Sequence, residues 1–166
     1  MKKIIAILAL SFGLATQAQQ EVTLDIADAL VMKSLEVSYE YYVSDQSSFG
    51  VSALFNFEGR TSDFRYNEDS MITPFFRHYF TNSRNWNYFG EVFLGINSGE
   101  YEVTLLDDTK AYENYTDGAL GISVGTKYVS NGGFVVSILG GIGRNMFTDE
   151  SPSVVPRVGV NLGYRF

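Results

Sequence analysis

His78 is the first residue to test for chemistry, because it is the only histidine in a chain that has no cysteine at all. Zinc wants about four nitrogen or sulfur ligands, so a lone imidazole without thiolates is a poor metal site. Thiol chemistry and iron–sulfur ligation are excluded outright. A hydrolase of the serine type needs a serine within hydrogen-bond reach of the base, and no serine is tied to His78 by motif. Taken at every second residue, His78 shares a face with Phe76 and Phe80. It is therefore expected to look outward at an interface. No catalytic, cofactor-binding or metal-ligating residue is expected, and no cofactor.

A second set is more informative. Glu36, Glu40, Arg77, Glu91, Lys127, Arg157 and Arg165 all fall on the polar side of alternating segments. Buried charges must be paired. If the chain reverses about Arg84, Arg77 lies directly across from Glu91, where opposite charges on one face attract. The set reads as an interior ion-pair plug, with an ion- or proton-conducting path as the alternative. A third set is acidic. Between residues 99 and 117 stand Glu100, Glu102, Asp107, Asp108, Glu113 and Asp117 against Lys110. Carboxylates of this kind bind calcium in loops with a fixed spacing, a glycine and a terminal glutamate; that pattern is missing, and a solvated loop is expected. Tyr101, Tyr112 and Tyr115 make the segment 99–116 a candidate surface for an extracellular ligand.

These sets acquire meaning only from the elements that carry them. Lys2 and Lys3, the apolar run Ile4 to Leu14 and the small residues at Thr16-Gln17-Ala18 read as a secretory signal, too short for a spanning helix. Residues 1–18 are expected to be cleaved. What remains, 19–166, is 148 residues with a net charge of −9. One domain is expected. An acidic chain argues against nucleic acid, which wants a basic stripe. With no cysteine, a lipid-anchored lipoprotein is not expected, and an exported protein must be held by its core, by sheet closure or by membrane insertion.

The dominant pattern has period two. Val158, Val160, Leu162, Tyr164 and Phe166 share one face, with Arg157, Gly159, Asn161, Gly163 and Arg165 on the other. Successive side chains of a strand point to opposite sides. The same alternation recurs upstream and predicts eight strands, at about 22–31, 34–43, 49–58, 70–80, 87–98, 117–129, 133–143 and 155–166. Each approaches the ~9–11 residues that a tilted strand needs to cross a bilayer. The stretches 59–69, 99–116 and 144–154 are long and polar, and the opposite connections are short, as in outer-membrane barrels. Met32-Lys33, on the long side, reads as a tight turn. Pro74 lies inside a strand pattern, where it removes a ladder hydrogen bond, so a bulge or displacement is expected there.

Tyr41, Tyr42, Phe49, Tyr79, Phe80, Tyr88, Phe89, Tyr128, Phe134, Tyr164 and Phe166 cluster where short turns meet strands. A girdle at the lipid boundary is expected. The polar face is mostly Gly, Ser, Thr and Asn, which suits the narrow interior of an eight-stranded barrel better than the charged exterior of a soluble one. Tyr42, Leu54, Phe89 and Phe93 have inward parity and are expected to help occlude any pore.

The ending Val160-Asn161-Leu162-Gly163-Tyr164-Arg165-Phe166 resembles the C-terminal signal of outer-membrane proteins. Together with Leu35-Glu36-Val37-Ser38-Tyr39-Glu40-Tyr41 and Pro74-Phe75-Phe76-Arg77-His78-Tyr79-Phe80, it makes the mature chain similar to the small barrels of the OmpA transmembrane-domain and OmpX type. The resemblance implies an all-β, eight-stranded, closed antiparallel transmembrane barrel in the bacterial outer membrane, reached by export through the periplasm. It implies outer-membrane lipid as surroundings, periplasmic chaperones and the barrel-assembly machinery as partners in biogenesis, and Leu162, Tyr164 and Phe166 as the assembly signal. It implies no activity. A structural or surface-interaction role is expected. The alternatives are a narrow ion or small-solute channel, a barrel-embedded lipid-modifying enzyme, and a soluble periplasmic ligand-binding barrel.

Overall fold

In a computed structural model, which describes residues 19–31, 33–57, 68–104 and 110–166, the chain forms eight strands and one short helix. They are β1 (Gln20–Asp25), α1 (Ile26–Val31), β2 (Ser34–Ser44), β3 (Ser47–Asn56), β4 (Glu68–Tyr79), β5 (Trp86–Thr104), β6 (Lys110–Val129), β7 (Phe134–Asn145) and β8 (Val154–Arg165). Each strand pairs antiparallel with its sequence neighbours, and β1 pairs with β8 to close the barrel. The closing ladder runs from Glu21 opposite Arg165 to Asp25 opposite Asn161. Closure satisfies the backbone groups that an open edge would leave bare. The expected signal segment 1–18 and most of the connection 59–69 lie outside the described residues.

Alternation sorts the side chains as the sequence requires. Leu120, Ile122, Val124, Ile138, Ile142 and Val158 are exposed on the outer wall. Ser48, Ser52, Thr73, Ser123 and Ser137 are buried inside. Three inward phenylalanines, Phe75, Phe89 and Phe93, fill the middle. Each ring lies over a neighbouring-strand glycine, respectively Gly50, Gly125 and Gly121, where any Cβ would collide with it. The glycines on the polar face therefore make room for aromatic filler.

Four expectations need correction. The first strand does not run from 22 to 31. It ends at Asp25, whose Oδ1 accepts hydrogen bonds from the Ala27 and Asp28 amides at 2.9 and 3.1 Å and so caps α1. Residues 26–31 are rich in alanine and leucine, good helix formers, and lack a consistent period of two. The chain then turns at Lys33, whose φ is +46°. The long-side connection is thus a helix and not merely a tight turn.

The segment 99–116 is not a loop throughout. β5 and β6 have 19 and 20 residues. The β4 ladder stops at Glu68 opposite Gly99, and the β7 ladder starts at Ala119 opposite Asn145. Beyond those points β5 and β6 continue paired as a two-stranded ribbon up to Thr104 opposite Lys110. At ~3.3 Å per residue the ribbon rises roughly 15 Å past the barrel wall.

Pro74 produces no bulge at its own position. The register is the same on both sides, but the β4–β5 ladder skips from Ile72–Ile96 to Phe75–Phe93. Pro74 keeps its pairing with Val51 of β3. Finally, the girdle is smaller than expected: Tyr42 and Phe89, in keeping with their inward parity, and Tyr79 are buried in the lumen, whereas Tyr41, Phe49, Phe80, Tyr88, Phe134 and Tyr164 are exposed outside, joined by Trp86.

Candidate functional site

The strands bring the interior charges into one alternating chain. Arg165 Nη2 lies 3.0 Å from Glu21, and the Glu21 carboxylate lies 2.6 Å from Lys127 Nζ. Lys127 reaches Glu40 at 2.7 Å, and Glu40 meets Arg77 at 2.7 Å. Arg77 Nε donates to Glu91 at 2.6 Å, Glu91 accepts from Arg157 Nε at 2.7 Å, and Arg157 reaches Glu36 at 3.2 Å. Four cations and four carboxylates alternate, so the chain is neutral as a whole. It ties together β1, β2, β4, β5, β6 and β8.

All seven charged residues singled out in the sequence belong to this chain. The eighth, Glu21, falls outside the expected first strand, which starts at 22, two residues after β1 does. Its signal was present, since Glu21, Thr23 and Asp25 alternate with Val22 and Leu24.

Neutral donors complete the carboxylates. Glu40 accepts from Ser48 at 2.5 Å and from Tyr79 at 2.6 Å. Ser123 donates to Glu91 at 2.7 Å. Tyr42 donates to Glu21 and receives both Lys127 and Arg165. The guanidinium of Arg77 is sandwiched between the Phe75 and Phe89 rings, 4.4 and 4.6 Å from their centroids, a favourable place for a desolvated cation. Glu21, Glu40, Glu91, Arg77 and Lys127 are all at most 4% exposed. Buried ions are tolerated only with such complete partnering.

The lumen is consequently filled at mid-height. On the short-turn side lies a polar vestibule of about 370 Å³, bordered by Tyr42, Tyr79, Arg84 and Arg165. Toward the other end lies a cavity of about 30 Å³ bordered by Asp25, Glu36, Glu68 and Arg157, room for about two waters. Phe89, Phe93 and Lys127, each 1% exposed, stand among the side chains that fill the space between.

His78 sits outside the barrel. Its Nδ1 is 3.2 Å from the Ser47 hydroxyl and its ring meets Phe80 edge-on at 5.8 Å. Both lie at the short-turn end, and no carboxylate is recorded as a third partner among the described residues. Nor do the described residues contain a cluster of three or more His, Asp or Glu suited to a metal. Of the residues expected to form an assembly signal, Leu162 pairs opposite Leu24 and Tyr164 opposite Val22 on the closing seam, while the Phe166 amide donates to the Gln20 carbonyl at 2.9 Å.

Asp117 organises the long-connection end. It accepts from the amides of Phe147 and Thr148 at 3.0 and 3.2 Å and from the Ser151 hydroxyl, so the β7–β8 connection folds back onto β6. It stands above Leu120, the last residue of the apolar belt on its strand. Burial alone would raise its carboxyl, but the Ser151 hydroxyl and the amides of Gly118, Phe147 and Thr148 outweigh burial and hold the group down at about 2.

No protein-family model matches the chain, and neither does any curated protein. Solved structures do. The N-terminal β-barrel domain of Pseudomonas aeruginosa OprF superposes with a TM-score of 0.59 at 14% identity, covering 90% of this chain and 98% of that one. Neisserial surface protein A gives 0.56 at 13%, covering 89% and 95%. The Yersinia pestis outer membrane protein Ail, in a phospholipid nanodisc, gives 0.51 at 13%, covering 90% and 100%. The protein therefore has the fold of the small eight-stranded outer-membrane barrels, of the OmpA and OmpX kind that its sequence resembles. At these identities the likeness speaks to fold alone.

Proposed function

We propose that the protein is an integral outer-membrane barrel with a structural and surface-interaction role: a plugged anchor that carries an acidic ribbon outside the cell. The alternating eight-charge chain is the observation that supports this reading, because it occupies the lumen with groups too well paired to leave for a passing solute. The exposed aliphatic wall with its aromatic ring suits lipid. The structural neighbours include proteins named for the outer membrane and the surface, which supports that location. The ribbon, with Glu100, Glu102 and Glu113 and with a Tyr101–Glu113 hydrogen bond of 2.9 Å, is the extension that can meet an extracellular partner. Insertion by the barrel-assembly machinery after export is part of the same reading, with Leu162, Tyr164 and Phe166 as its signal. The test has two parts. The protein should stay in washed outer membranes and migrate faster on a gel unheated than boiled. In planar bilayers it should show no stable conductance steps; reproducible steps in the purified protein would replace the anchor with the narrow channel.

A further inference from the structure

Two concavities meet at Arg144, and neither is used by the lumen. The first is a groove of about 550 Å³ in the outer wall, floored by Val92, Leu120, Ile122, Ile142 and Val154. The second, about 540 Å³, lies just beyond it under the β7–β8 connection, with Thr148, Asp149 and Ser153 on its walls. Both include Arg144 and Ser153. The lower groove is aliphatic and opens where lipid would lie. The upper one is polar and opens where the barrel leaves the lipid.

Arg144 stands at their junction. It projects outward between Leu120 and Val154, its partners across the ladders, and is exposed. Its side chain forms no ion pair or hydrogen bond among the described residues, unlike Arg77, Lys127, Arg157 and Arg165 of the lumen, each of which is ion-paired. Asp149 lines the same upper pocket and forms no ion pair with it. The upper pocket is preorganised, because Asp117 pins Phe147, Thr148 and Ser151, and Phe147 lies over Gly118.

We propose that this is a binding site for one phosphorylated glycolipid of the outer leaflet. An acyl chain lies along the aliphatic groove, a phosphate pairs with Arg144, and sugar hydroxyls donate to Asp149 and bond to Ser153. Charge complementarity selects the occupant. An aliphatic groove alone would accept any chain, but a guanidinium at the lipid boundary with no partner among the described residues recruits an anion, and guanidinium and phosphate match in geometry. The Asp149 carboxylate on the wall of the same upper pocket disfavours a purely anionic headgroup and suits one that also carries hydroxyl donors. The proposal rests on the reading that the wall faces lipid with the long connections outside.

The test is native mass spectrometry of the detergent-solubilised full chain, titrated separately with bisphosphorylated lipid A, dephosphorylated lipid A and phosphatidylglycerol. A single lipid A should be retained, with the dephosphorylated form and phosphatidylglycerol each at least about tenfold weaker. Arg144→Gln should lose about tenfold in lipid A affinity, and Ile142→Trp, which fills the groove, should weaken it as well. Arg84→Gln, at the opposite rim, should change nothing. Each variant's fold is checked by its unheated gel mobility. Equal binding by Arg144→Gln, retention of phosphatidylglycerol as tight as lipid A, or no one-to-one complex would overturn the proposal. Loss of the protein from washed outer membranes would instead overturn the location, so the two failures are distinct.

Discussion

Glu40 and Lys127 are the central link of the lumenal chain, and cutting that link in two ways should give energies that do not add. Glu40→Gln leaves the chain with four cations and three carboxylates. Lys127→Met leaves four carboxylates and three cations. Either change strands charge among residues that are at most 4% exposed, which for a buried pair costs about 3–5 kcal/mol. Water from the vestibule would bring that toward the lower end. The double substitution behaves differently. It divides the chain into Arg165–Glu21 and Arg77–Glu91–Arg157–Glu36, each neutral and each still bonded. The double variant should therefore lose much less than the sum of the singles, with a coupling of about 1–3 kcal/mol. Reversible urea unfolding in lipid vesicles or micelles, followed by Trp86 fluorescence, measures all four corners of the cycle. Additivity within about 0.5 kcal/mol would show that the lumen solvates these ions individually, and the plug argument would fall.

Other consequences follow from single contacts. Gly121→Ala places a methyl against the Phe93 ring and the Gly143 backbone and should destabilise by about 1–3 kcal/mol; an unchanged unfolding midpoint would mean the Phe93 ring moves freely. Asp117→Asn should speed amide exchange at Phe147 and Thr148 at neutral pH. Because the folded Asp117 carboxyl is held down at about 2 against an ordinary 3.8, the parent's advantage over this variant should be constant above about pH 4 and disappear as pH falls toward 2. A difference that grows on acidification would contradict the hydrogen-bond account. Deleting Phe166 should reduce the barrel inserted in cells far more than it lowers the stability of barrel refolded in detergent, since a terminal side chain frays easily; normal insertion would remove its role as a signal. Protease added to intact cells should cut between Thr104 and Lys110, and cleavage only after the outer membrane is ruptured would invert the topology.

Most of the strands and their facing were legible in the chain because they follow from a local rule, whereas closure was expected only from the family resemblance. Period two places Val158, Val160 and Leu162 on one side and Arg157, Gly159 and Asn161 on the other without reference to anything distant. The Arg77–Glu91 contact was legible too, since a hairpin about Arg84 is a local object. The rule failed where local order changes kind: at residues 26–31, where an aspartate cap and helix formers replace alternation, and at 99–116, where a polar, acidic composition concealed a paired ribbon. What only the tertiary structure decided is who meets whom across the lumen. Lys127 and Glu21 are 106 residues apart, and Arg165 and Glu21 are 144 apart. Shared inward parity says that such residues lie inside. Barrel stagger and closure decide their height and angle around the axis, and hence whether the charges stand apart or link into one neutral chain.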